Sequence, residues 1–127
     1  MNVAPNLESS PPPQAAGARR REPGHRLRVG FVGAGFISKW HARAVRQIPD
    51  IDLVAVCDLR QDLARQFASQ HGSCTNYSDV ASMLDGSDLD VAHVLVPPQH
   101  HVRVAEELMR GGIDVLVEKP VTTTMED

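Results

Sequence analysis

After residue 26, short apolar runs alternate with stretches of helical spacing five times over, a rhythm that few folds accommodate. Leu27–Val32 (LRVGFV), Ile51–Cys57 (IDLVAVC), Val91–Val96 (VAHVLV) and Ile113–Val117 (IDVLV) are rich in β-formers. A weaker run lies at Cys74–Tyr77. Such runs read as buried parallel strands. Between them, Phe36, Ile37, Trp40, Ala44, Val45 and Ile48 predict a helix ended by Pro49-Asp50. Leu59, Leu63, Ala64, Phe67 and Ala68 predict a second helix, stopping near Gly72. Ser78 is expected to cap a short helix carrying Val80, Met83 and Leu84. Val102, Ala105, Leu108 and Met109 mark another, closed by Gly111-Gly112. Strand and helix alternating with short links imply an α/β fold, a doubly wound parallel sheet of five strands covered on both faces.

Residues 1–25 depart from this pattern. They are rich in Pro, Ser, Ala and Arg and hold almost no large apolar side chains, so they are expected to form a disordered leader. Arg19-Arg20-Arg21 is followed by Glu22-Pro23-Gly24-His25 rather than by the apolar segment an export signal requires. Residues 26–127 are one domain's worth of chain. The net charge of −3 and the scattered Arg and Lys give no nucleic-acid footprint, and no apolar run approaches a membrane span. Cys57 and Cys74 form no CxxC and have no histidine at zinc-ligand spacing. Both are expected to be reduced, partly buried core residues of a cytoplasmic protein.

Gly33-Ala34-Gly35-Phe36-Ile37-Ser38 follows the first strand and opens the first helix. It fits G-x-G-x-x-G/A except that Ser38 takes the last place. The first glycine permits a tight turn, the second removes a Cβ that would block a pyrophosphate, and a small third residue lets the helix approach the sheet. An anion there would meet unpaired N–H groups and the positive end of the helix dipole. Asp58 closes the second strand about 20 residues beyond Ser38, the offset of a ribose-binding carboxylate. These features make the loop residues Gly33, Gly35, Phe36, Ile37 and Ser38, with Asp58, a candidate dinucleotide site. The alternative makes the glycines plain turn residues and Asp58 a helix cap. A carboxylate favours the two hydroxyls of NAD over the 2′-phosphate of NADP, though a guanidinium at Arg60 could meet a phosphate.

Ligands of a doubly wound sheet bind beyond the carboxyl ends of its strands. Val96-Pro97-Pro98-Gln99-His100-His101 and Glu118-Lys119-Pro120 emerge there. The combination of GAGFIS, the acid of VAVCD, VPPQHH with a following AEELMRGG, and VLVEKP resembles the Gfo/Idh/MocA family of oxidoreductases across residues 27–127. The resemblance implies a Rossmann-like fold and hydride exchange between a nicotinamide and a carbinol carbon of a sugar, cyclitol or related polyol. It places Lys119 near the nicotinamide and the reacting hydroxyl, as the one catalytic candidate. It makes Glu118 a cofactor contact or a support for the lysine, and lines the nicotinamide end with Pro97 and Pro98. His101 corresponds to the histidine of the family's PxxxH-type loop, although a packing role suits its place on the first turn of a helix. His100 is expected to be exposed; His41, His71 and His93 fall on elements rather than at the strand ends, and His93 is expected to be a core or interface residue.

Family members carry a second α/β domain that supplies the substrate pocket and most of an oligomer interface. This sequence stops at Asp127, inside an expected new helix. Two readings stand: the N-terminal part of a sugar-type dehydrogenase, or a free-standing NAD-binding module without chemistry of its own. Apolar surface left at the strand ends would favour self-association.

Overall fold

The structure, a computed structural model, describes residues 24–72 and 74–118. The leader up to residue 23, Lys119, Pro120 and the expected helix after them lie outside the described residues. The strands are β1 (Leu27–Val32), β2 (Ile51–Cys57), β3 (Thr75–Tyr77), β4 (Val91–Val94) and β5 (Asp114–Val117). The helices are α1 (Ser38–Arg46), α2 (Gln61–Gln70), α3 (Val80–Gly86) and α4 (His101–Arg110), the last preceded by a 3₁₀ turn at Pro98–His100. All strand pairs are parallel, in the order β3-β2-β1-β4-β5. The doubly wound sheet expected from the alternation is therefore present, with the order reversing between β1 and β4.

Strand periodicity sends alternate residues to opposite faces, and each face has its own core. Val29 and Phe31 of β1 join Leu53, Val56, Ala42, Val45 and Phe67 beneath α1 and α2. Val32 joins Ala55, Ala92, Val94, Met83, Val104 and Leu108 beneath α3 and α4. Phe31, Met83 and Leu108 are fully buried. Upstream of β1, His25 Nε2 meets the buried Asp90 at 3.0 Å and Arg26 pairs with Asp52 at 2.9 Å, so contacts begin at the last residue assigned to the leader. No described helix is long and apolar enough to cross a membrane.

Several expectations need correction. The buried stripe of α1 is Ser38, Ala42 and Val45, not the larger apolar residues: Phe36 is 70% exposed, Trp40 46% and Ile48 48%, and Ala44 also faces solvent. The helix begins only at Ser38, which leaves Phe36 on the loop, and the small Ala42 and Ser38 allow close approach to the sheet. Leu59 and Met109 are likewise exposed. An apolar side chain is a weak guide to burial in one direction, because much folded surface is apolar. The cap of α3 is Asp79 rather than Ser78; its Oδ1 accepts from Ser82 N at 2.7 Å and Ser82 Oγ at 2.6 Å. β4 ends at Val94, short of the expected Val96, because Pro97 removes a ladder donor and restricts the residue before it.

Candidate cofactor-binding site

The reversal in strand order opens a crevice above the carboxyl ends of β1, β2 and β4, with a volume of about 810 Å³. Gly33 forms its floor. Its φ of 112° is a left-handed conformation, and an added Cβ would stand 2.9 Å from the Leu95 backbone. Gly33 N donates to Cys57 O at 2.8 Å and Leu95 N to Val32 O at 2.8 Å, so the turn is clamped between neighbouring strands. Gly35 is different: a Cβ there would meet no atom within 4 Å, because the space above it is the crevice. Ser38 is buried, and its Oγ donates to Gly35 O at 2.6 Å, closing the loop onto the helix. The N–H groups of Gly35, Phe36 and Ile37 donate to no described residue, so they form a cradle suited to an anion at the start of α1.

Asp58 lines the crevice and ties its two sides together. Its Oδ2 accepts from Ala34 N at 2.9 Å and its Oδ1 from Arg60 N at 2.8 Å. It is a brace between the glycine loop and the entry to α2 rather than the N-cap of α2, which is Arg60. Each carboxylate oxygen keeps lone-pair capacity for a further donor, so a ribose diol fits. Arg60 is exposed on the rim with its guanidinium 3.3 Å from the equally exposed Asp62. The open space over Gly35, the unused amides and the half-buried carboxylate together suit a dinucleotide.

Of the residues expected at the site, Gly33, Gly35, Asp58, Arg60 and Pro97 line the crevice. Ile37 and Ser38 support it from within the fold, while Phe36 turns outward against Trp40, with Lys39 over its ring. Pro98 is set back in the 3₁₀ turn. His101 does not reach the crevice: it is 1% exposed, and its Nε2 donates to Val96 O at 2.7 Å. It pins the loop after β4, with Nδ1 bare and without a hydrogen-bond partner. Lys119 lies outside the described residues. Cys57 borders the crevice as a buried thiol pushed up to about 12 by desolvation, with nearby carboxylates adding to the effect, so it offers no thiolate there.

Sequence reasoning passed over four residues at or near the site. His100 and Arg103 line the crevice from the start of α4, 3.3 Å apart; their spacing of three on a helix was the available signal. His41 and His93, read as element residues, meet Glu118: His41 Nε2 is 2.6 Å from Glu118 Oε2, and His41 Nδ1 is 2.9 Å from His93 Nδ1.

The family model described as an oxidoreductase family with an NAD-binding Rossmann fold matches residues 27–127. D-glucoside 3-dehydrogenase of Escherichia coli is 35% identical over 101 residues, which are 79% of this chain and 29% of that protein. Inositol 2-dehydrogenase 4 of Saccharopolyspora erythraea is 35% identical over 97 residues, 76% of this chain and 29% of that protein. Among solved structures, the WlbA dehydrogenase of Bordetella pertussis in complex with NADH and UDP-GlcNAcA superposes with a TM-score of 0.78 and 30% identity, over 84% of this chain and 31% of that one. KijD10, a 3-ketoreductase of Actinomadura kijaniata in complex with NADP and TDP-benzene, gives 0.71 at 28% identity, over 78% and 30%. The chain thus spans about a third or less of the length of these relatives. With the family model matched from β1 onward and the crevice built as that fold requires, the chain belongs to the Gfo/Idh/MocA oxidoreductases and carries their NAD-binding Rossmann domain.

Proposed function

We propose that this chain holds the dinucleotide of an enzyme that moves a hydride between nicotinamide and a carbinol carbon of a sugar, cyclitol or related polyol, with NAD preferred over NADP. The observation that carries the reading is Asp58, braced across the crevice from the glycine loop with lone pairs left for a diol. Relatives named for glucosides and inositol support the substrate class. When bound, the nicotinamide supplies the hydride acceptor or donor.

The chain's own residues do the rest. The amides of Gly35, Phe36 and Ile37 receive the diphosphate, and Gly35 lets it approach the backbone. Asp58 takes the adenosine ribose hydroxyls and disfavours a 2′-phosphate by charge. The occupation of Arg60 by Asp62 adds to that preference. Pro97 borders the nicotinamide end. Lys119, by its place after Glu118, binds the reacting hydroxyl or holds its proton, because a desolvated ammonium beside a positive ring gives up its proton more readily. The two free, buried cysteines suit a reducing, cytoplasmic setting.

Titration of the purified chain with NADH and NADPH, followed by nicotinamide fluorescence, tests this. Tighter binding of NADH, lost in Asp58→Ala, is the expected result. Indifference to both dinucleotides would overturn it.

A further inference from the structure

Three side chains from three elements converge on the face of the sheet covered by α1. His41 comes from α1, His93 from β4, and Glu118 from the residue after β5, whose N–H donates to Val94 O at 3.3 Å and so continues the ladder. The His93 ring stacks on Phe31, with centroids 5.0 Å apart at 22°, and the His41 ring meets Phe31 edge-on at 6.1 Å and 88°. His41 is largely covered, whereas the Glu118 side chain is 38% exposed.

Valence assigns the protons. The Glu118 carboxylate only accepts, so His41 Nε2 carries a hydrogen. When His41 is neutral, its Nδ1 keeps a lone pair and His93 Nδ1 is the donor across the 2.9 Å contact. In that state His93 is the Nδ1–H tautomer. Burial, reinforced by any positive charge His41 carries, pushes His93 down to about 4 and keeps that ring neutral near pH 7, although Glu118 acts the other way. Without a partner a half-exposed glutamate would sample several rotamers, and a lone imidazole could flip. Here the second histidine fixes the first, and the first fixes the carboxylate.

We propose that His41 and His93 are positioning residues that orient the Glu118 carboxylate beside the strand ends that border the crevice. This rests on the dinucleotide reading above. It adds a role for two histidines that do not themselves line the crevice.

The test uses the full chain in two measurements. Long-range ¹H–¹⁵N correlation of ¹⁵N-histidine-labelled protein at pH 8 is expected to show His93 protonated on Nδ1 and His41 on Nε2. NADH titration is expected to weaken about tenfold in His41→Ala and about threefold in His93→Phe, which keeps a ring on Phe31 but loses the donor. His41→Gln, which retains an N–H, should recover most of the affinity at an unchanged melting temperature. The double variant His41→Ala/Glu118→Gln should bind no worse than the weaker single one, as coupled residues do. Wild-type binding combined with a bare His93 Nδ1, full affinity in His41→Ala, or strict additivity of the double variant would each overturn the proposal alone. Failure of the wild type to bind NADH would instead bring down the dinucleotide reading, with the tautomer spectrum still deciding whether the histidine pair exists.

Discussion

Two carboxylates stand just beyond strand ends, Asp58 after β2 and Glu118 after β5, and they are held by opposite means. Asp58 is gripped by main-chain N–H groups of Ala34 and Arg60, donors that neither titrate nor change rotamer. Glu118 is gripped by an imidazole that leans on a second imidazole. The first arrangement is written into the turn of the backbone and can be lost only by deforming it. The second depends on side chains, so it can be tuned by pH or by a single substitution without disturbing the sheet. The contrast suits the proposed roles: an adenosine end that only binds, and a nicotinamide end where a proton must be managed.

The backbone-built end should break hardest. Gly33→Ala forces a Cβ into the Leu95 main chain at a φ that alanine rarely adopts. A loss of about 3 kcal/mol in denaturant unfolding is expected, with NADH binding lost alongside stability. Gly35→Ala separates the two effects, because its Cβ meets only open space. Its unfolding midpoint should match wild type while NADH affinity falls about tenfold or more, from the obstructed diphosphate. Unchanged affinity would remove the diphosphate from that position.

The side-chain-built end should show itself through pH. His93 binds a proton near 6.5 in the unfolded chain but only near 4 when folded. Between those values the unfolded state holds more protons, so stability is full above about pH 6.5 and declines as pH falls toward 4. A shift of that size corresponds to about 3 kcal/mol, and partial solvent access reduces it to on the order of 1–2 kcal/mol. Urea unfolding from pH 7.5 to 4.5 should therefore slope less in His93→Val than in wild type. Equal slopes would mean that His93 is not the group responsible. The smallest change is expected at Arg60→Ala, whose exposed side chain meets only Asp62. NADH affinity should move less than about twofold, and a marked loss of NADPH binding would instead give Arg60 a phosphate-reading role.

How much of this was legible beforehand follows from what each feature requires. β1 and β2 were readable to the residue because buried parallel strands are continuous apolar runs bounded by turn signals. That Gly33 makes the tight turn after β1 and that Asp58 reaches back to the same loop was readable, because these two positions keep a fixed separation along the chain in this kind of fold. The face of α1 was misjudged: spacing reveals a stripe, but Trp40 carries more hydrophobic weight than Ala42, which packs inside. His41 and His93 could not be paired from sequence, since their contact exists only once β4 lies beside β1 and α1 crosses above both. Phe36 was assigned to the site by its place in the motif, yet the motif constrains the backbone there and leaves the ring free to point away.

One free thiol sits in each of the two cores, Cys57 on the α3/α4 side and Cys74 on the α1/α2 side, and both are pushed up to about 12 by burial. Burial keeps both thiols protonated and covered at neutral pH, so alkylation of each follows the opening of the packing around it. The molecule thus contains two clocks, one per layer, whose rates can be read by mass spectrometry without any engineered label. Matching rates would describe a sheet that comes apart all at once, and diverging rates would show which side lets go first.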